Sequence, residues 1–288
     1  MLETIGKDMT TLKDTRKQPE IIAITSGKGG VGKSSLSINT ALVFRQMRKR
    51  VLLIDADIHL GNVDLLLGMR TVNTLEDLLK DGMDIRDIIV EGPGQLDVLP
   101  ASSASMKMLE MEDILLKKLA AAFRKIESNY DYVIVDTGAG VAQTVLSFLL
   151  GADKIVLVIT SDPASIADAY AVIKIVKTMD AEIPVLVVPN QVNAHEEGEV
   201  LYKKLNLMVR KFLKCEIEYA GSVLKDELIA KSVKIQKPFV LHNPNSAAAN
   251  TMRLFTRQLL QLTPKTSRDK RNVFDRFIVN KKRNFEWD

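Results

Sequence analysis

Gly27-Lys28-Gly29-Gly30-Val31-Gly32-Lys33-Ser34-Ser35 decides how this chain is read. Gly27, Gly32, Lys33 and Ser34 satisfy the spacing G-x-x-x-x-G-K-[ST], in which glycines let backbone N–H groups converge on phosphate oxygens. The lysine beside the serine reaches the β- and γ-phosphates, and the serine hydroxyl ligates Mg²⁺. Such a loop works only between a strand that feeds it and a helix that leaves it. Glu20-Ile21-Ile22-Ala23-Ile24-Thr25 reads as the strand, and Leu36, Ile38, Ala41, Leu42 and Phe44 recur at helical spacing after it. A nucleoside triphosphatase is the expectation.

Further out, apolar runs alternate with helical patterns. Strands are predicted near 20–25, 51–54, 96–99, 132–135, 154–159, 184–189 and 217–222, and a last domain helix over about 246–262. That alternation predicts an α/β fold, a doubly wound and mostly parallel sheet with helices on both faces. Two of the runs end in acids: Val51-Leu52-Leu53-Ile54 delivers Asp55-Ala56-Asp57, and Tyr132-Val133-Ile134-Val135 delivers Asp136-Thr137-Gly138-Ala139-Gly140. Carboxylates at the carboxyl ends of parallel strands stand where ligands bind, although two aspartates there can also cap a turn. Asn190 follows Val185-Leu186-Val187-Val188-Pro189 and is open to the same two readings.

Composition narrows the class. At 288 residues and 46% hydrophobic, the chain can bury a full core in one P-loop domain, expected over 20–263 behind a polar leader, 1–19. The single cysteine, Cys215, supplies neither a disulfide framework nor a cysteine cluster for zinc or iron–sulfur. Glu3 and Asp8 with no apolar segment argue against a signal peptide, and no apolar run approaches the ~18 residues of a membrane span. The expected location is cytoplasmic.

With its second lysine, the stretch Lys28 to Ser34 resembles the deviant Walker A motif of the MinD/ParA family, KGGVGK[ST], without a gap. The resemblance implies an ATPase with ATP and Mg²⁺ bound, in which Lys28 crosses to a partner subunit's nucleotide in an ATP-sandwiched homodimer. It also implies roles for other positions. Gly29, Gly30, Val31, Gly32, Lys33, Ser34 and Ser35 would cradle the phosphates. Lys28, Lys33 and Asp57 would serve catalysis, with Asp57 orienting the attacking water. Ser34, Asp55 and Asp136 would serve the magnesium, and Asn190 would recognise adenine. Relatives that share a [4Fe–4S] cluster or carry a CxxC pair need two cysteines, and the tyrosine-kinase relatives need a tyrosine-rich tail, whereas no tyrosine follows Tyr219.

The end of the chain carries a different signal. From Pro264 to Asp288 there are eight Lys/Arg against four Asp/Glu, a surplus of +4 that equals the charge of the whole chain. Residues 1–263 therefore balance at 32 against 32. On a helical wheel Val273, Phe274, Phe277, Ile278 and Phe285 fall within an arc of about 140°, with Asp275, Arg276, Lys282 and Arg283 opposite. This is the pattern of a membrane-surface helix for an anionic bilayer, expected over 264–288; a helix docked on its own domain is the other reading. Dimerisation would pair two such helices and couple attachment to ATP, giving a protein reversibly peripheral on the inner face of the cell membrane.

Within the family the chain looks most like the FlhG branch, which controls flagellar number and placement. Thr74 to Gly82, Ile85 to Ile89 and Gly92 to Ser103 carry that likeness, and Val273 to Arg283 corresponds to that branch's membrane-targeting helix. The resemblance implies an FlhF-type GTPase and flagellar motor-switch proteins as partners. One departure stands against it: many members begin with a DQAxxLR-like segment that stimulates FlhF, and the nearest stretch here, Asp8-Met9-Thr10-Thr11-Leu12-Lys13, lacks the Gln-Ala pair. A MinD-like division-site ATPase and a ParA-like DNA-partitioning ATPase remain alternatives. A charge-balanced domain argues against nucleic acid, which demands a basic surface.

Overall fold

Continuous runs of Ile, Val and Leu, rather than alternating ones, form the strands, because both faces of the sheet are covered. The computed structural model describes residues 18–57, 61–101, 114 and 117–261. The expectations on the leader before residue 18, on Ser102 and Ser103, and on the tail with Val273, Phe274, Phe277 and Ile278 lie outside the described residues.

The strands are β1 (Glu20–Ser26), β2 (Val51–Ala56), β3 (Val90–Gly92), β4 (Leu96–Leu99), β5 (Tyr132–Ala139), β6 (Lys154–Ile159), β7 (Val185–Val192), β8 (Glu218–Tyr219) and β9 (Val223–Leu224). Their spatial order is β3-β4-β2-β5-β1-β6-β7-β8, with β9 paired to β7 beyond β8. All pairings are parallel except β3 with β4. The helices are α1 (Lys33–Gln46), α2 (Val63–Leu66), α3 (through 117–123), α4 (Gln143–Gly151), α5 (Pro163–Met179), α6 (His195–Leu213), α7 (Glu227–Lys234), α8 (Phe239–His242) and α9 (Ala247–Gln261).

The expected doubly wound sheet is present, with two differences in detail. β3 was not expected: three residues ending in glycine carry no strand pattern, and the segment is held by its register, Val90 opposite Val98 and Gly92 opposite Leu96. The strand expected over 217–222 is two short strands, broken where Gly221 takes φ +94°. Only glycine adopts that backbone without strain.

One core lies on each face. On one side Phe123, Leu146, Leu149, Ile173, Val176 and Leu205 pack against the sheet; on the other Leu36, Leu42, Phe44, Phe239, Met252 and Leu259 do. Phe44 stacks on Tyr132 at 4.6 Å between ring centroids, which fixes α1 against the strand that carries Asp136. Burying each such large apolar side chain contributes roughly 1.5–3 kcal/mol, so the central strand ends are held rigidly where chemistry needs them. β1 and β5 slip by one residue between Ile24 opposite Asp136 and Ser26 opposite Ala139. This bulge re-aims Thr137 and Gly138 at the end of β5.

At the opposite end of the sheet, Lys154 is 1% exposed. Its Nζ donates to the Leu259 carbonyl at 3.1 Å in the last turn of α9 and lies 2.7 Å from Glu20 Oε1 at the start of β1.

Candidate nucleotide-binding site

The loop from β1 to α1 is shaped by Gly30 at φ +79° and Gly32 at φ +89°. A Cβ on Gly32 would stand 2.5 Å from Asn190 Nδ2, so conformation and space both exclude a side chain there. Gly27 is enclosed on another side, since a Cβ on it would meet the backbone of Asp168 in α5 at 2.4 Å. Gly29 and Gly30 are exposed and face open space. Gly32 gives α1 no side-chain cap. The donors of that first turn and the positive end of the helix dipole are thereby offered to an anion.

Lys33, the first residue of α1, is 9% exposed. Its Nζ donates to Asp136 Oδ1 at 2.9 Å and lies 3.3 Å from Ser34 Oγ. Ser37 Oγ, a position the sequence did not single out, donates to the same aspartate oxygen at 2.8 Å. Asp55 and Asp136 stand opposite each other in the β2–β5 register, both 1% exposed. Burial, and then the neighbouring Asp136 charge, push the Asp55 carboxyl up to about 7. The N–H groups of Val63 and Asp57 and the charge of Lys33 act in the other direction. Asp55 Oδ2 accepts from Val63 N at 3.0 Å and Oδ1 from Asp57 N at 3.2 Å, so this carboxyl also ties Asp57 and Val63 to its own strand end.

Two buried carboxylates with one lysine make a site short of positive charge, which fits a divalent cation. Among the described residues no three His, Cys, Asp or Glu gather into a metal cage. An ion held by one or two carboxylates, a hydroxyl and phosphate oxygens needs none, and that is how Mg²⁺ binds beside phosphates.

The two segments that follow β2 and β5 meet at the loop. A Cβ on Gly138 would lie 3.7 Å from Asp57 Cγ, and Gly140 N donates to the Ser26 carbonyl at 2.8 Å. Lys28 turns the other way. Its Nζ pairs with Asp162 Oδ2, both side chains being partly exposed, while Asp162 Oδ1 accepts from Ala164 N at 2.8 Å and caps α5. Lys28, and then the Ala164 N–H, hold the Asp162 carboxyl below its ordinary range. Asp162 lies 134 positions from Lys28, and no local signal in the sequence connects them.

Asn190 is 8% exposed; its Nδ2 donates to the Val31 carbonyl at 2.7 Å and its Oδ1 accepts from Gln191 N at 2.9 Å. It braces the loop and forms one wall of a cavity of about 430 Å³. Gly32, Leu36, Val223, Ile229 and Val233 are among the residues that line it further. The wall from β9 and α7 was missed in the sequence because tertiary folding alone brings it to the loop.

A phosphate cradle at the carboxyl end of a parallel sheet, with a cation-demanding acid pair beneath it, is the working end of a P-loop ATPase. A family model described as an AAA domain matches residues 19–187, more than half of the chain. The antiactivator FleN of Pseudomonas aeruginosa is 36% identical over 80% of this chain and 82% of its own. The flagellum site-determining protein YlxH of Helicobacter pylori is 32% identical, over 80% and 78%. Among solved structures, the septum site-determining protein MinD complexed with Mg-ADP from Pyrococcus horikoshii superposes with a TM-score of 0.70 at 23% identity, covering 85% of this chain and 97% of that one. The chain belongs to the MinD/ParA family of P-loop ATPases and is FlhG-like within it.

Proposed function

We propose that this ATPase is a switch that regulates flagellar number and placement, active as an ATP-bridged homodimer and reversibly bound to an anionic membrane surface. The observation that carries the switch is the placement of Lys28. It stands on the exposed rim of the loop, held among the described residues by a partly exposed carboxylate, where a second copy can receive it. The flagellar reading rests on the FleN and YlxH likenesses and on the tail pattern. It brings an FlhF-type GTPase and motor-switch proteins as partners.

In this reading Lys33 leaves Asp136 for the β- and γ-phosphates when ATP enters. Ser34, Asp136 and Asp55 would hold Mg²⁺, which supplies positive charge against the phosphates. Asp57, beside Gly138, aligns the attacking water. The cavity next to Asn190 takes the adenine, and Asn190 keeps one N–H and one lone pair for the base edge. Lys28 exchanges Asp162 for the partner's nucleotide and offsets charge developing there. Membrane attachment follows from pairing two tails, each too weak alone.

Sizing with ATP and Mg²⁺ tests the dimer. The wild type is expected to double in mass, and Lys28→Ala to remain monomeric while still binding nucleotide; a normal ATP dimer of Lys28→Ala would sink the trans role. Phe274→Glu with Phe277→Glu is expected to release the protein from anionic vesicles without altering its melting temperature. A lowered melting temperature, with no vesicle binding by the wild type, would make the tail a docked helix instead.

A further inference from the structure

α6 presents to solvent a face that the ATPase chemistry does not use. Its inner side, Leu201, Leu205 and Val209, is buried against α5 and β7. On its outer side Val200, Lys204, Leu207 and Lys211 follow at spacings of four, three and four, one stripe along the helix, with Met208 and Phe212 beside it. Leu207 is 69% and Phe212 61% exposed. Over residues 200–215 there are five Lys/Arg and no Asp/Glu. Lys203 pairs with Glu199 and Arg210 with Glu216, whereas Lys204, Lys211 and Lys214 have no carboxylate partner among the described residues. Lys211 Nζ lies 5.2 Å from the Phe212 ring centroid, so charge and aromatic surface are presented together.

Charge says what covers this face. Gln258, near the end of α9, donates to the Tyr219 carbonyl at 3.0 Å. The Tyr219 ring lies 5.2 Å from that of Tyr202 in α6, whose hydroxyl donates to the Ile217 carbonyl at 2.9 Å. The last turn of α9 and the basic half of α6 therefore flank one short strand, from opposite faces of the sheet. From Gln261 the chain goes on into the segment whose sequence is basic and aromatic. Like charge opposes docking of that segment on α6. A convex, basic face with a few large apolar side chains suits a sheet of anionic headgroups, into which Leu207 and Phe212 insert shallowly while the lysine stems extend sideways.

We propose that the outer face of α6, centred on Lys204, Leu207, Lys211 and Phe212, is a second membrane-contact surface, which lies on the anionic bilayer beside the tail and sets the orientation of the domain. This deepens the membrane reading above and rests on it. The test uses the full chain with ATP and Mg²⁺ on phosphatidylglycerol-rich vesicles. Leu207→Glu with Phe212→Glu is expected to weaken partitioning about tenfold or more at an unchanged melting temperature, because both side chains are exposed. Lys204→Gln with Lys211→Gln is expected to weaken it about tenfold at low salt and less as salt screens the attraction.

Phe212→Trp in a Trp287→Phe background puts the sole tryptophan on α6, and brominated phosphatidylglycerol is expected to quench it. Full binding by both α6 variants with an unquenched Trp would overturn the α6 surface and leave the tail reading standing. Quenching with binding that survives Phe274→Glu and Phe277→Glu would keep the α6 surface and remove the tail. An unquenched Trp on a face that instead captures an acidic protein would overturn the bilayer assignment, and no vesicle binding by the wild type would overturn both.

Discussion

This sheet buries a lysine at each of its ends, and only one of them stands at the phosphate loop. Lys33 and Lys154 are comparably hidden, and both ammonium groups meet a carboxylate within 3 Å. They differ in what surrounds them. Lys33 stands at an uncapped helix start, behind glycines in left-handed backbone, facing two acids that one lysine cannot neutralise. It is positioned to change partners. Lys154 meets a backbone carbonyl and the Glu20 carboxylate, with no second acid opposite it in the register. A buried lysine is therefore not by itself a mark of function; unbalanced neighbours and open space beside it are.

Lys33→Ala is the harshest test of that contrast. Phosphate release should fall by about 10³-fold or more, because Lys33 is the loop's cation for its own γ-phosphate, Lys28 being assigned to the partner's. Lys154→Ala should instead destabilise the fold by about 2 kcal/mol in denaturant unfolding, leaving a half-buried glutamate and a carbonyl without this partner, while turnover per folded molecule stays within about twofold. Lys154→Met, which fills the space, should lose clearly less stability than Lys154→Ala. Loss of turnover at full stability in either Lys154 variant would break the comparison.

Asp57→Ala sharpens it from the other side. ATP should still bind and dimers accumulate, with turnover reduced about 10²-fold in a steady-state assay. Asp162→Asn should act least: it frees Lys28 from its tether and shifts the ATP concentration for half-maximal dimerisation downward, by less than about threefold, since an exposed ion pair holds weakly.

Much of this arrangement was legible in the sequence. The loop, β1, β2 and β5 announce themselves because a fully buried strand must be apolar throughout and its acids can appear only where it ends. The partners of those residues were not legible. Ser37 reaches Asp136 because α1 turns it inward one turn after Lys33, a direction the spacing allows but does not signal. Asp162 reads as an ordinary helix cap before Pro163 until the fold brings it to Lys28. Asn190 reads as a turn residue or a base contact, and its bond to the Val31 carbonyl appears only when β7 is seated beside the loop. β3 and the break at Gly221 escaped because two or three residues carry no periodicity to detect.

The tie at Lys154 has a mechanical consequence. Glu20 begins β1 and Gly27 follows its end, so one stiff strand of seven residues, roughly 23 Å long at 3.3 Å per residue, runs from that tie to the phosphate loop. A pull on the chain beyond Gln261 reaches first the last turn of α9, whose carbonyl Lys154 holds, and then the foot of that strand. Strain applied at the tail thus has a short, straight route to the glycines of the phosphate loop.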